Sequence, residues 1–219
     1  NHSLSPKVIK EIILNVLKPK VVGQNPFYVE KIWSEMYKCC KMLGQYAAPI
    51  IAMSGMEVAF RHIPGKVLNK PIYQLLGGYR DKIKVYAGGL GLGFKPINEL
   101  CEEAKKLIAD GFTALKMRVG QDPKTDVEKV KMLNVAPYTE LDIMLDANCS
   151  YSRLDVKRII KEYEELGVYW LEEPLIYTDI EGYKELKEKT KIGIAGGENW
   201  YTPIGFNKVI KINAVDIVQ

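Results

Sequence analysis

The sequence predicts an α/β protein in two parts: a helical segment over residues 1–80 and part of a (β/α)8 barrel over residues 81–219. Three observations carry this reading. Before residue 80 no stretch has the alternation of a strand, and the apolar residues recur at helical spacing. After Arg80, six strand-like runs alternate with five helix-like runs. Right-handed crossovers turn such a series into a parallel sheet with helices outside. Finally, three acids close three consecutive strands. Asp146, Glu172 and Glu198 follow one another at 26 and again 26 residues, a spacing that holds one strand, one helix and two loops.

Ser5-Pro6 opens the first helix, with Val8, Ile9, Ile12, Ile13, Val16 and Leu17 on its apolar face and Pro19 and Gly23 as its stop signals. Asn25-Pro26 opens a second, through Met42, with Val29, Ile32, Trp33 and Met36 on one side. Ala47 to Phe60 is almost wholly apolar and small, the pattern of a helix buried on most sides. His62, just beyond it, reads as a packed or capping residue. Residues 66–71 form a turn, and Pro71 to Leu76 a short helix closed by Gly77-Gly78.

In the second part, strands are expected at 83–87, 113–119, 141–146, 168–172, 192–195 and 214–218. The intervening helices are expected at 97–110, 124–133, 154–166, 181–189 and 205–212. Strand polarity favours a barrel over an open, doubly wound sheet. On 113–119, Leu115, Met117 and Val119 face the helices, which turns Lys116 and Arg118 inward. Two inward cations are costly unless they face a polar site. Met144 and Asp146 share the inward face of the next strand. The polar inward positions all lie at strand C-terminal ends, where barrel active sites form.

Composition closes off several function classes. The 219 residues are 47% hydrophobic and 26% charged, with a net charge of +4 and interspersed signs, so nothing points to nucleic acid. No apolar run reaches membrane-spanning length, and no signal-peptide pattern opens the sequence. The four cysteines form no CxxC pair and read as reduced thiols of a cytoplasmic protein. Gly88-Gly89-Leu90-Gly91-Leu92-Gly93 lacks the third glycine of a dinucleotide fingerprint and reads as a flexible loop at the active site. Trp170, Trp200 and Tyr201 are either packing aromatics or substrate contacts.

Carboxylates recurring once per βα unit at strand ends converge on one point of a barrel. Three of them repel unless a hard cation sits among them, and Mg2+ takes such oxygen ligands. Asp146, Glu172 and Glu198 are therefore expected to bind Mg2+.

These residues also carry a resemblance. Residues 55–66 and the stretch Lys70-Pro71-Ile72-Tyr73-Gln74-Leu75-Leu76-Gly77-Gly78 are similar to the helical entry to the barrel in the mandelate racemase branch of the enolase superfamily. Lys116-Met117-Arg118 resembles that family's Lys-x-Lys position. Leu145-Asp146-Ala147-Asn148, Trp170-Leu171-Glu172-Glu173-Pro174 and Gly197-Glu198-Asn199 resemble its metal-ligand motifs. The resemblance implies a TIM-type barrel preceded by the helical part of an α+β capping domain. It further implies Mg2+ on Asp146, Glu172 and Glu198, with Lys116 neutralising a substrate carboxylate and Asn148 contacting the substrate. The shared chemistry is removal of the proton α to a carboxylate. A homo-oligomer is implied as well.

Two departures refine the expectation. The family's second lysine is Arg118 here, and an arginine remains charged at neutral pH, so it is a poor base. That disfavours a two-base racemase and favours dehydration of an acid sugar, an aldonate or aldarate, to a 2-keto-3-deoxy acid. Gly197-Glu198-Asn199-Trp200-Tyr201-Thr202-Pro203 is likewise similar to the acid-sugar dehydratases. The sequence ends at Gln219, before the stretch in which the family places its Asp and His base dyad. The alternatives are a hydroxy-acid racemase or epimerase, and an inactive metal-binding fragment lacking that base.

Overall fold

The computed structural model describes residues 5–44, 46–90, 94–133 and 141–219. The chain divides into two compact units, one of residues 1–83 with 200–204 and the other of residues 84–199 with 205–219.

The first unit is helical. α1 (Pro6–Glu11) runs through a π-helical turn (Ile12–Leu17) into α2 (Lys18–Val21), and α3 (Val29–Cys40), α4 (Ala48–Val67) and α5 (Ile72–Leu75) follow. Pro19, expected to stop the first helix, lies within α2. A proline cannot donate to the carbonyl four residues back, and its ring crowds that carbonyl. The preceding turn widens instead, with the Lys18 N–H bonded to the Ile13 carbonyl five residues back. Leu17, Val21, Ile32, Met36, Cys40, Ala52 and Met53 form the core of this unit. α4 outlasts its expected end at Phe60 and is buried along one stripe only, with Val58 and Ile63 exposed. His62 lies exposed inside α4, so it neither packs nor caps.

The second unit carries the sheet: β1 (Ala87–Leu90), β2 (Ala114–Arg118), β3 (Asp142–Asp146), β4 (Trp170–Glu172), β5 (Gly193–Gly196) and β6 (Ile217–Val218). Between them lie α6 (Ile97–Ala109), α7 (Pro123–Leu133), α8 (Arg153–Glu165), α9 (Ile180–Lys189) and α10 (Thr202–Lys211). All neighbouring strands are parallel and their order is β1-β2-β3-β4-β5-β6. A doubly wound sheet reverses strand order at a switch point; this one advances strand by strand, as a barrel does. Among the described residues no pairing joins β6 to β1.

The strand ends differ from expectation at both edges. Ile83 and Val85 alternate like a strand yet are exposed, and the ladder begins only where Ala87 meets Leu115. Gly88 and Gly89 therefore belong to β1 rather than to a loop, and residues 91–93 of the same glycine run lie outside the described residues. Ala214 and Val215 are buried but precede β6.

The helix-facing side of the sheet is closed by Leu115, Met117, Val119, Leu145, Leu171 and Ile194, all fully buried. α8 begins with a capping box in which Ser152 and Asp155 satisfy each other's backbone N–H, a device that stabilises a helix start by about 1 kcal/mol. No helix among the described residues is long and apolar enough to cross a membrane.

Candidate active site

The register of the sheet builds the site in layers. Lys116, Met144, Trp170 and Gly193 are partners across β2 to β5, and Arg118, Asp146, Glu172 and Ala195 are partners two residues further on. Residues in register on parallel strands point the same way, so Arg118, Asp146 and Glu172 stand one layer above Lys116, Met144 and Trp170. Gly193 lies close to the neighbouring strand, where a Cβ would stand 3.3 Å from the Tyr169 carbonyl. Tyr86 meets Trp170 edge-on, with ring centroids 5.3 Å apart.

At the strand ends the cations and acids interlock. Lys116 Nζ donates to Glu172 Oε2 at 2.6 Å and lies 3.4 Å from Asp146 Oδ2. Arg118 Nη1 donates to Asp146 Oδ1 at 3.0 Å, and the same oxygen accepts the Asn148 backbone N–H at 3.0 Å. Asn148 Nδ2 donates to Glu198 Oε1 at 2.9 Å. Burial pulls the Lys116 ammonium toward lower pKa. The hydrogen bond to Glu172 and the charges of Glu172 and Asp146 outweigh it and hold Lys116 above the ordinary lysine value. Lys116 is thus a cation at neutral pH, suited to pairing with an anion.

Lys116, Arg118, Asp146 and Glu198 line one cavity of about 350 Å³ together with Tyr86, Gly88 and Gly89. Glu172 and Asn148 stand behind that lining, hydrogen-bonded to Lys116 and Glu198 respectively. All six residues singled out from the sequence are therefore brought together at one end of the sheet. Three further residues escaped that reading. Tyr86 walls the cavity beside Lys116, whose Nζ lies 5.8 Å from the ring centroid. Asn199 Nδ2 donates to both oxygens of Glu173, at 2.9 and 3.1 Å. Glu173 itself, beside Glu172, is buried. The doubled acid in Glu172-Glu173-Pro174 was its only sequence signal.

Among the described residues no three acid, histidine or cysteine side chains are gathered as a ready ligand set for an ion, and the Lys116 ammonium lies between Asp146 and Glu172. The donor chemistry nonetheless fits Mg2+. Asp146 and Glu172 end adjacent strands in register, Glu198 follows the next strand, and all three offer hard oxygens.

The loop after β2 is fixed from below. Gly120 turns at φ +104°, and a Cβ there would stand 2.7 Å from the Ala147 carbonyl. The fully buried Asp126 accepts the N–H groups of Gly120 and Gln121 and the Tyr151 hydroxyl on Oδ2, at 2.8, 3.1 and 2.8 Å. Tyr163 completes the network, with its hydroxyl 3.1 Å from that of Tyr151.

Comparison with known proteins agrees with this architecture. Residues 99–219 match the enolase C-terminal domain-like family, and residues 2–77 match the N-terminal domain of mandelate racemase and muconate lactonizing enzyme. The chain belongs to the enolase superfamily, in its mandelate racemase branch. It is 30% identical to the arabinonate dehydratase of Saccharolobus solfataricus over 96% of its own length and 57% of that enzyme's. Among solved structures it is similar to the 3,6-anhydro-D-galactonate cycloisomerase from Zobellia galactanivorans, with TM-score 0.92 and 33% identity over 99% of this chain and 60% of that one. A racemase from Streptomyces coelicolor, solved with bound magnesium, superimposes with TM-score 0.93 and 28% identity over the same shares, 99% and 60%. The chain thus spans somewhat over half the length of these relatives. Dehydratases, cycloisomerases and racemases all occur among them.

Proposed function

We propose that this chain carries the metal-binding and carboxylate-binding half of an Mg2+-dependent acid-sugar dehydratase. In this reading residues 1–80 are the helical part of a capping domain and residues 81–219 the barrel part, in a homo-oligomeric, cytoplasmic protein. The observation that carries it is the pairing of Lys116 and Arg118 with Asp146 and Glu172 at the wall of one cavity.

Asp146, Glu172 and Glu198 would hold the ion, which supplies fixed positive charge against the anion that develops when an α-proton leaves. Lys116, a cation at neutral pH, would donate to the substrate carboxylate. Asn148, already aimed at the site by Glu198, donates to a substrate oxygen. Arg118 is held by Asp146 and stays a cation, so it orients and neutralises rather than accepting a proton. A site with one permanent cation where a second base would stand suits abstraction of the α-proton with loss of the β-hydroxyl. It suits inversion at the α-carbon less well.

The test is a panel of aldonates and aldarates incubated with Mg2+ in D2O. Lys116 and Arg118 are both cations, so the α-proton needs a base from outside these 219 residues; in a protein that supplies one, the proposal predicts a 2-keto-3-deoxy acid that disappears with chelator. Deuterium at the α-carbon of recovered substrate without dehydration would identify a racemase or epimerase instead. Saturable Mg2+ binding with neither reaction would identify an inactive metal-binding fragment.

A further inference from the structure

We infer that Glu173 is a positioning residue whose buried carboxylate ties together the loops after β3, β4 and β5 and, through Asn148, sets the place of Glu198. The inference rests on the metal-binding reading above and assigns a role to an acid that is not itself a ligand in it.

Glu173 is only 2% exposed, yet it immediately follows Glu172 at the end of β4. Its carboxylate gathers donors from both flanking loops. Asn199 Nδ2 reaches both oxygens, at 2.9 and 3.1 Å, from the loop after β5. Asn148 Nδ2 at 3.5 Å and Cys149 Sγ at 3.4 Å reach Oε2 from the loop after β3. The Asn148 carboxamide spans the gap to the site, because the same Nδ2 donates to Glu198 Oε1 at 2.9 Å. Glu173 thus restrains the group that restrains Glu198.

The backbone reinforces this latch. The Cys149 N–H donates to the Glu173 carbonyl at 2.8 Å, and the Glu173 N–H donates to the Ala195 carbonyl at 3.0 Å. Asn148, Cys149 and Glu173 all adopt positive φ, at 45°, 62° and 41°. Side chains other than glycine persist there only where surrounding contacts over-determine the backbone. Three such residues in two adjoining loops mark a region held against its local preference, and Glu173 is the group common to those contacts. Outer partners that orient metal ligands commonly account for 10–100-fold in metal affinity.

Mg2+ titration calorimetry on the wild type, Glu173→Gln, Asn148→Ala and the double variant tests the inference, with Asp146→Asn as control. Glutamine keeps the shape but offers one acceptor where the carboxylate offers two. The expected result is Mg2+ affinity about 10–100-fold weaker in Glu173→Gln, at nearly unchanged metal-free melting temperature. The double variant should lose no more than the larger single loss, because both changes cut one link. Wild-type affinity in Glu173→Gln, or fully additive losses, would overturn the inference while leaving the metal reading intact. If Glu173→Gln does not fold, Asn148→Ala decides alone: unchanged affinity there overturns the link to Glu198, and weakened affinity supports it. Saturable binding absent from the wild type, or retained in full by Asp146→Asn, would instead overturn the metal reading, and this inference with it.

Discussion

Two groups of buried acids lie within one sheet-and-helix unit, and they are built on opposite plans. Among the described residues Asp126 takes only neutral donors, two backbone N–H groups from the loop after β2 and a tyrosine hydroxyl from the loop after β3, all on Oδ2. Asp146 and Glu172 are matched instead with the ends of two long, flexible cations, Lys116 and Arg118, and Asp146 faces a cavity. Neutral donors fix a carboxylate in place. Mobile cations balance its charge and can turn to another anion. Burial alone therefore does not distinguish these acids; what sets Asp146 and Glu172 apart from Asp126 is their cationic partners.

The largest expected effect on stability breaks the first group. Asp126→Ala removes the acceptor of the partly exposed Gly120 and Gln121 N–H groups and leaves the buried Tyr151 hydroxyl with Tyr163 as its partner, so about one buried bond is lost, at about 1–3 kcal/mol. Urea unfolding should show a loss of roughly 1–3 kcal/mol, with Mg2+ affinity nearly unchanged in the folded protein. A large loss of metal affinity would mean the two groups are not separate.

Lys116→Met breaks the second group and should separate two ligands. A charge-assisted hydrogen bond contributes about 1.5–3 kcal/mol, so Mg2+-dependent binding of an aldonate should weaken by about 10–100-fold. Mg2+ itself should bind more tightly, since the ammonium no longer competes for Asp146 and Glu172. Weaker Mg2+ binding would show that Lys116 supports the ion rather than its ligand.

What the sequence made legible follows from local geometry. The period of two along β2 and β3 turned Lys116, Arg118 and Asp146 to one side, and the even spacing of the acids put Glu172 and Glu198 beside them. Glu173 was hidden because its direction is set by a backbone turn at φ 41°, which no alternation pattern foretells. Asp126 was hidden because Asp122-Pro123-Lys124-Thr125-Asp126 reads as an ordinary polar helix start, and only tertiary packing buries it. At the edge of the sheet, Ile83 and Val85 mimicked a strand, while the actual β1 contains two glycines and is defined by pairing with β2. Pro19 was read as a stop because a widened helical turn leaves no mark in residue spacing.

A smaller effect sharpens the comparison. Burial, with the Tyr163 and Asp126 groups beside it, raises the Tyr151 hydroxyl above the ordinary tyrosine value. A raised acid stabilises the fold fully below its unfolded pKa of about 10 and loses that contribution as pH climbs above it. Stability should therefore fall in alkali beyond about pH 10. Tyr151→Phe should cost about 1 kcal/mol at neutral pH and make the alkaline decline shallower. An unchanged alkaline slope would remove Tyr151 from the account.

The most direct measurement is Mg2+ calorimetry on the wild type beside Glu198→Gln, which leaves the buried pairs of Asp146 and Glu172 in place. Saturable 1:1 binding is expected in the wild type and at least about 100-fold weaker binding in the variant, beyond what loss of an outer partner produces. Equal affinity in both proteins would contradict the three-carboxylate site.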